Sequence, residues 1–223
     1  MIISHRLKYV FVHVPKTAGT SIETLMKDND EFQVDITGHW KGIQEVDFQE
    51  DPRISRELRN HADAKEIRKY FEREGFNWDD YFKFGFIRNP WDLNVSQYFY
   101  WMQTMVNEST TDENRALIEK YKDKPPKDFI KEKATYDFVD HFLCNEHDHK
   151  RDLIVDFVGK FENLEEDFNA ALQKISPHFG TYSLGRMNAS QRDKDYRKYY
   201  DEETRLCVKK AFYKTRRIGK YEF

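Results

Sequence analysis

Residues 9–22 read Tyr9-Val10-Phe11-Val12-His13-Val14-Pro15-Lys16-Thr17-Ala18-Gly19-Thr20-Ser21-Ile22. From Tyr9 to Val14 every position but His13 is apolar or aromatic. A short run of this kind, rich in β-branched and aromatic residues, predicts a strand buried on both faces. Pro15 and Lys16 lead into a turn through Thr17, Ala18, Gly19 and Thr20, and a helix is predicted from near Ser21 to Lys27. A tight strand–turn–helix gathers several backbone N–H groups in one small space, and the helix N-terminus adds partial positive charge there. Lys16 adds a full charge, and Thr17, Thr20 and Ser21 add hydroxyls. Such a stretch can grip a phosphate-like anion. Its plain alternative is an ordinary βα turn that holds nothing.

A second strand is predicted at Tyr81 to Ile87, ending in Arg88-Asn89-Pro90-Trp91-Asp92. Asn89 suits a helix N-cap, Pro90 the first helical position and Asp92 the first turn. The helix is expected to run to about Val106, with Trp91, Val95, Tyr98 and Met102 as its apolar stripe. Arg88 then stands at the carboxyl end of a strand, where open α/β sheets bind ligands. Ser96, two turns into the helix, can face the same crevice. A guanidinium offers a forked, permanent charge to phosphate, and a hydroxyl adds one donor. The other reading puts Arg88 in a structural ion pair and Ser96 simply on a helix.

The order Pro15-Lys16-Thr17-Ala18-Gly19-Thr20-Ser21 is not a Walker A loop, because its lysine precedes the glycine and no glycine opens it. It resembles instead the phosphosulfate-binding loop of sulfotransferases, which use 3′-phosphoadenosine 5′-phosphosulfate (PAPS). With His13 and Val14 in front, the stretch looks like the carbohydrate branch, which includes Golgi heparan and chondroitin enzymes and bacterial relatives. Arg88 with Ser96, in FIRNPWDLNVSQY, resembles the 3′-phosphate site of the same family. The resemblance runs from Lys8 to about Phe223 and is most specific at these two places. It implies a three-layer, P-loop-like α/β domain with a mainly parallel central sheet flanked by helices. It also implies PAPS as donor, no metal, and Lys16, Thr17, Ala18, Gly19, Thr20, Ser21, Arg88 and Ser96 as cofactor-binding residues. An Asn-x-Ser stretch that closes over the nucleotide in the family has its counterpart at Asn188, Ser190 and Arg192. The Gly185-Arg186-Met187 stretch before it departs from the expected Pro-His pattern.

Length and composition bound the remainder. A chain of 223 residues fits one α/β domain, 1–223, with a polar insertion at about 107–133 around Pro125-Pro126. Aromatic residues at 16% argue against disorder, and a net charge of −3 with balanced signs does not mark a nucleic-acid binder. Two cysteines, Cys144 and Cys207, do not suggest a disulfide scaffold. Cys144, His147 and His149 cluster, but a zinc site needs a fourth ligand and better spacing. No stretch reaches the length of a membrane span, so a soluble cytoplasmic protein is expected, with no membrane partner.

The other predicted elements are these. Asp28 to Asp51 reads as loop with a short strand and a Gly38-His39-Trp40 turn. A helix over Asp63–Glu74 has Ala64, Ile67, Tyr70 and Phe71 on one face and ends at Gly75. Short helices are predicted near Asn114–Tyr121 and over Thr135–Cys144. Leu153–Val158 reads as a third strand. Asn163 with Glu166 suggests a capping box ahead of a helix bearing Leu164, Phe168, Leu172 and Ile175. A last helix, Asp201–Lys214, directs Leu206, Ala211 and Phe212 to the core.

A hydroxyl acceptor is a poor nucleophile near neutral pH and needs a base. His61 precedes a helix, lies between the two binding motifs, and resembles in position the catalytic histidine of the carbohydrate branch. His39 is its rival. Lys16 can neutralise charge that grows on the bridging oxygen of the donor. The expected activity is sulfuryl transfer from PAPS to a hydroxyl, most naturally of a sugar or glycan. A P-loop phosphotransferase using ATP, and a non-catalytic nucleotide- or glycan-binding module, are the alternatives.

Overall fold

The computed structural model describes residues 1–39, 52–105, 111–145, 152–185 and 190–223. Trp40, Val106, His147, His149, Arg186, Met187 and Asn188, all named above, lie outside the described residues. In chain order the first elements are β1 (Ile2–Ser4), β2 (Tyr9–Val12), α1 (Gly19–Lys27), β3 (Ile36–His39), β4 (Ile54–Arg59), α2 (Ala64–Glu74) and β5 (Phe82–Ile87). Then come α3 (Pro90–Phe99), a π-helical turn (Tyr100–Met105), α4 (Asp112–Tyr121), α5 (Pro126–Lys133) and α6 (Phe138–Leu143). The last are β6 (Phe157–Lys160), α7 (Leu164–Ile175), α8 (Glu202–Ala211) and α9 (Tyr213–Gly219). No helix among the described residues is long and apolar enough to cross a membrane.

The described residues fall into two compact units. One draws on residues 1–39, 52–87, 138–145 and 152–185, the other on residues 88–105, 111–137 and 190–223. The first unit holds a six-stranded sheet in the order β4-β3-β1-β2-β5-β6. β2 with β5, β5 with β6, and β3 with β4 run parallel, while β1 runs against both β2 and β3. The sheet is thus mainly parallel, as expected, and its one reversed strand is the hairpin partner of β2. All of Tyr9, Val10, Phe11 and Val12 are buried, because β2 has a strand on each side.

One face of the sheet makes the core. Tyr9 and Phe11 of β2 and Phe84 and Phe86 of β5 pack with Ile22 and Met26 of α1 and Phe168, Ala171 and Leu172 of α7. Phe11 and Phe84 meet with ring centroids 5.2 Å apart. Each such ring, fully buried, contributes roughly 1.5–3 kcal/mol from its removal from water. Side chains alternate along a strand, so Gly85 belongs to the other face. A Cβ there would stand 3.0 Å from Leu143 Cδ2 of α6.

Several boundaries differ from expectation for local reasons. β2 stops at Val12 because the Val14 N–H turns back to the Val12 carbonyl at 3.1 Å. Gly38 and His39 sit in β3 and not in a turn, since β4 pairs with Thr37 and His39 on either side of Gly38. Leu153 makes only an isolated antiparallel bridge to Cys144, and β6 forms later, at Phe157–Lys160. The Asn163 capping box is absent: Asn163 ends a 3-10 turn, and Asp167 Oδ2 instead accepts from the Lys160 N–H at 2.6 Å. α2 begins and ends as predicted, with Asp63 and Glu66 forming a full capping box and Gly75 at φ 78° closing it.

In the second unit, Asn89 caps α3 through the N–H groups of Trp91 and Asp92, with Pro90 at the first helical position. The helix gives way to the π turn at Tyr100, short of the predicted end. The predicted polar insertion is partly core: Ile118, Tyr121, Phe129 and Ile130 of α4 and α5 are buried. Tyr98 anchors them, its hydroxyl donating to the Lys124 carbonyl at 2.7 Å and its ring meeting Phe129 at 5.7 Å. The last predicted helix breaks at Phe212 into α8 and α9, and Leu206 is exposed because only one face of α8 is covered.

Candidate functional site

The first unit supplies a loop and a histidine cluster. Lys16 and Ala18 both adopt left-handed backbone conformations, at φ 65° and 66°. Non-glycine residues rarely do so, and such strain gathers at functional loops. Alternation of this kind turns backbone N–H groups inward into an anion-binding concavity. Thr17 is buried, and its hydroxyl donates to the Val14 carbonyl at 2.8 Å, which ties the loop back to the strand end. α1 begins at Gly19, earlier than predicted, with Ala18 as its N-cap and no side chain capping it. Gly19, Thr20 and Ser21 therefore form the first turn, whose N–H groups have no intrahelical acceptors.

Gly19 is needed for space. A Cβ there would lie 1.9 Å from Cδ2 of His13, so the imidazole of His13 lies directly against the start of α1. That ring is buried. Its Nδ1 stands 3.0 Å from Glu23 Oε1 and 3.3 Å from Asn60 Nδ2. The Met1 amino group also pairs with Glu23 and donates to the Asn60 carbonyl at 2.6 Å. Burial alone would raise the Glu23 carboxyl, but the Met1 amino group and His13 outweigh it and hold it down to about 2. Glu23 is then a carboxylate, which only accepts, so the proton on His13 Nδ1 points to it.

His61 faces the same cluster. Its Nδ1 lies 2.9 Å from the carbonyl oxygen of His13, and the two rings meet edge to face with centroids 4.3 Å apart. A carbonyl only accepts, so Nδ1 carries the proton and Nε2 carries the lone pair. Burial, and then the neighbouring His13, lower the His61 pKa to about 3, against the opposing effect of the hydrogen bond to the backbone. His61 is accordingly neutral near pH 7. The rival, His39, ends β3 with its Nδ1 2.9 Å from the Ser55 carbonyl oxygen.

The second unit supplies an arginine cluster. Arg88 Nε donates to Asp92 Oδ2 at 2.8 Å, Arg88 Nη2 stands 2.6 Å from the same oxygen, and Nη1 donates to Ser96 Oγ at 3.2 Å. Arg88 thus has the ion pair of one reading and the serine neighbour of the other. Arg192 Nη2 donates to the second oxygen of Asp92 at 2.6 Å, and its Nε donates to Ser190 Oγ at 3.1 Å. Both guanidinium side chains are only 9% exposed. Arg192 Nη1 is buried with no hydrogen-bond partner among the described residues. Two buried cations thus share one carboxylate, with an unsatisfied donor beside them. The segment is held from the π turn as well: Gln103 Nε2 donates to the Gln191 carbonyl at 2.8 Å, and the Gln191 N–H donates to Gln103 Oε1 at 3.1 Å.

The structure brings Lys16 through Ser21 into one loop, and Arg88, Ser96, Ser190 and Arg192 into one cluster. Four further residues of these clusters were not singled out from the sequence: His13, Glu23, Asn60 and Asp92. His13 had a signal, as the one polar residue in an apolar run. Asp92 had another, four residues after Arg88. Glu23 and Asn60 had none.

A protein of Archaeoglobus fulgidus described as uncharacterized is 33% identical over 98 residues, covering 44% of this chain and 70% of its own length. No solved structure matches the chain significantly. A model described as "Sulfotransferase family" matches residues 1–215, and the chain therefore belongs to the sulfotransferase family.

Proposed function

We propose that this sulfotransferase moves a sulfuryl group from PAPS to a carbohydrate hydroxyl by in-line displacement, with His61 as base. The observation that carries the reading is the loop. Two left-handed residues and an uncapped helix start make an anion cradle at the end of β2, and in the same unit a neutral histidine has its lone pair on Nε2. PAPS, when bound, supplies the sulfuryl group and a good leaving group. The cradle binds the phosphosulfate, and Lys16 neutralises the charge that grows on the bridging oxygen. His61 Nε2 takes the proton of the acceptor hydroxyl, and the imidazolium so formed keeps its Nδ1–H on the His13 carbonyl.

Arg88, Ser96, Ser190 and Arg192 take the 3′-phosphate in this reading. The buried, unpartnered Nη1 of Arg192 supports the fit, since an anion would give it the acceptor it lacks. Asn188 is assigned to the nucleotide by its place in the same stretch. Both units are taken as parts of one domain, a view supported by the span of the family match. A three-layer, P-loop-like arrangement is proposed with it, supported by α1 and α7 on one face of the sheet and Leu143 against Gly85 on the other.

Titration calorimetry with 3′-phosphoadenosine 5′-phosphate (PAP) and ATP, each with and without Mg²⁺, tests the donor. PAP should bind without Mg²⁺. Binding of ATP alone, and only with Mg²⁺, would replace this reading by phosphoryl transfer. Incubation with labelled PAPS and an acceptor library tests the rest, and label should appear on sugars.

A further inference from the structure

We infer that His13 and Glu23 form a carboxylate–imidazole couple that positions His61, and that this couple links the anion loop to the base. The inference rests on the reading of His61 as base. Three contacts carry it. The Glu23 carboxylate accepts from His13 Nδ1 at 3.0 Å and fixes the plane of the ring. That ring fills the space that a side chain at position 19 would need, so it bears on the first residue of α1. The backbone carbonyl of His13 holds His61 Nδ1 at 2.9 Å, and the His13 and His61 rings meet edge to face.

His13 therefore touches the loop on one side and the base on the other, and Glu23, from the second turn of α1, holds it in place. Neither residue meets the reacting atoms in this scheme; both act through His61. A buried acid and a buried histidine in an otherwise apolar strand end are costly to keep unless paired. The pairing is satisfied here by the Met1 amino group on Glu23 and by Glu23 and His13 on each other. The proton on His61 Nδ1 follows from the carbonyl of His13, so any loosening of His13 frees the other tautomer. In that tautomer the proton sits on Nε2, and His61 cannot accept another there.

The test reads the tautomer directly. Imidazole ¹⁵N spectra of the full chain at pH 7, with the His61 signals assigned by their loss in His61→Ala, should show protonated Nδ1 and bare Nε2 in the wild type. A wild-type His61 protonated on Nε2 would overturn the inference without any further variant. Glu23→Gln and His13→Leu should mix the two tautomers and lower kcat by about tenfold to a hundredfold, the usual scale for a misplaced catalytic group. PAP affinity should stay within about twofold of wild type, because the residues position the base and not the donor. His13→Asn, whose amide nitrogen falls near the position of Nδ1, should recover part of both losses. Unchanged tautomer and kcat in Glu23→Gln and His13→Leu, or a loss of PAP affinity as large as the loss of kcat, would also overturn it. Failure of the donor reading is separable: the chain would then bind no PAP, while the tautomer of His61 would still depend on Glu23 and His13.

Discussion

Arg192 Nη2 donates to Asp92 Oδ1 at 2.6 Å, across 100 residues of sequence. The other oxygen of Asp92 holds Arg88. One carboxylate thus spaces two buried guanidinium groups. Removing its charge takes this partner from both buried cations, and breaking a buried ion pair typically costs about 3–5 kcal/mol. Asp92→Asn should lower stability on that scale in denaturant unfolding. A 3′-phosphate brings negative charge back, so saturating PAP should raise the melting temperature of Asp92→Asn more than that of wild type. An equal or smaller rise would remove the phosphate from this cluster.

Arg88 meets a group that does not change during reaction, so its effect should appear in affinity. A charge-assisted contact is worth about 1.5–3 kcal/mol. Arg88→Ala should therefore weaken PAP binding by roughly ten- to a hundredfold or somewhat more, and Ser96→Ala by less. The variant should also discriminate poorly between PAP and 5′-AMP, which lacks the 3′-phosphate. Binding constants for both nucleotides decide the matter: equal losses would mean that Arg88 reads something else.

Lys16 should show the opposite split. Charge on the bridging oxygen grows only as the S–O bond breaks, so Lys16→Ala should reduce kcat far more than it weakens PAP binding. Steady-state kinetics beside calorimetry measure the two separately.

His61→Ala should cut turnover by about a hundredfold or more and spare PAP affinity. It should also change the pH dependence of stability. The His61 pKa is depressed from 6.5 to about 3 on folding. Between those values the unfolded chain binds a proton that the folded chain refuses. Stability from this group is therefore intact above 6.5 and falls as pH drops towards 3, by up to about 1.4 kcal/mol per pH unit. Denaturant unfolding from pH 7 to pH 4 should give a shallower decline in His61→Ala than in wild type.

Ala18 carries backbone strain that glycine would not. A left-handed alanine costs about 1 kcal/mol relative to a residue without Cβ. Ala18→Gly should stabilise the chain by about that much and raise the melting temperature by about 2–4 °C, while PAP still binds. A drop in melting temperature would show that the loop needs the methyl group.

How much of this was legible in the sequence depends on range. β2, the loop, β5 and the start of α3 were readable because each rests on neighbours: unbroken apolar runs, Pro90 at a helix start, Asn89 as its cap. The full capping box at Asp63 and Glu66 is equally local. β1 was not readable, since three residues carry no period, and its reversed direction is a property of pairing. The helix near Asn114–Tyr121 was readable, but its burial and that of α5 were hidden by the surrounding charge, because only one face of each, at Ile118, Tyr121, Phe129 and Ile130, is covered. At the site, Lys16, Arg88, Ser96 and Arg192 belong to motifs. Glu23 is an unremarkable acid in an amphipathic helix until His13 is folded against it, and Asn60 gains its role only from contacts with Met1 and His13.

The pairing of Tyr9 with Phe82 has a consequence for how the chain must fold. β2 is apolar on both faces, and its partner on one side, β5, is made only after all of α1 to α2 has been synthesised. The hairpin with β1 covers one edge at once; the other edge, the one that ends in the anion loop, waits for a distant strand. Non-local parallel pairing of this kind is slow. During that interval a growing chain shows an unpaired, fully apolar edge, the surface through which strands of separate molecules add to one another. Nascent chains halted before Phe82 should therefore aggregate or engage a chaperone more than the full chain, in which β5, β6 and α7 cover that edge and face.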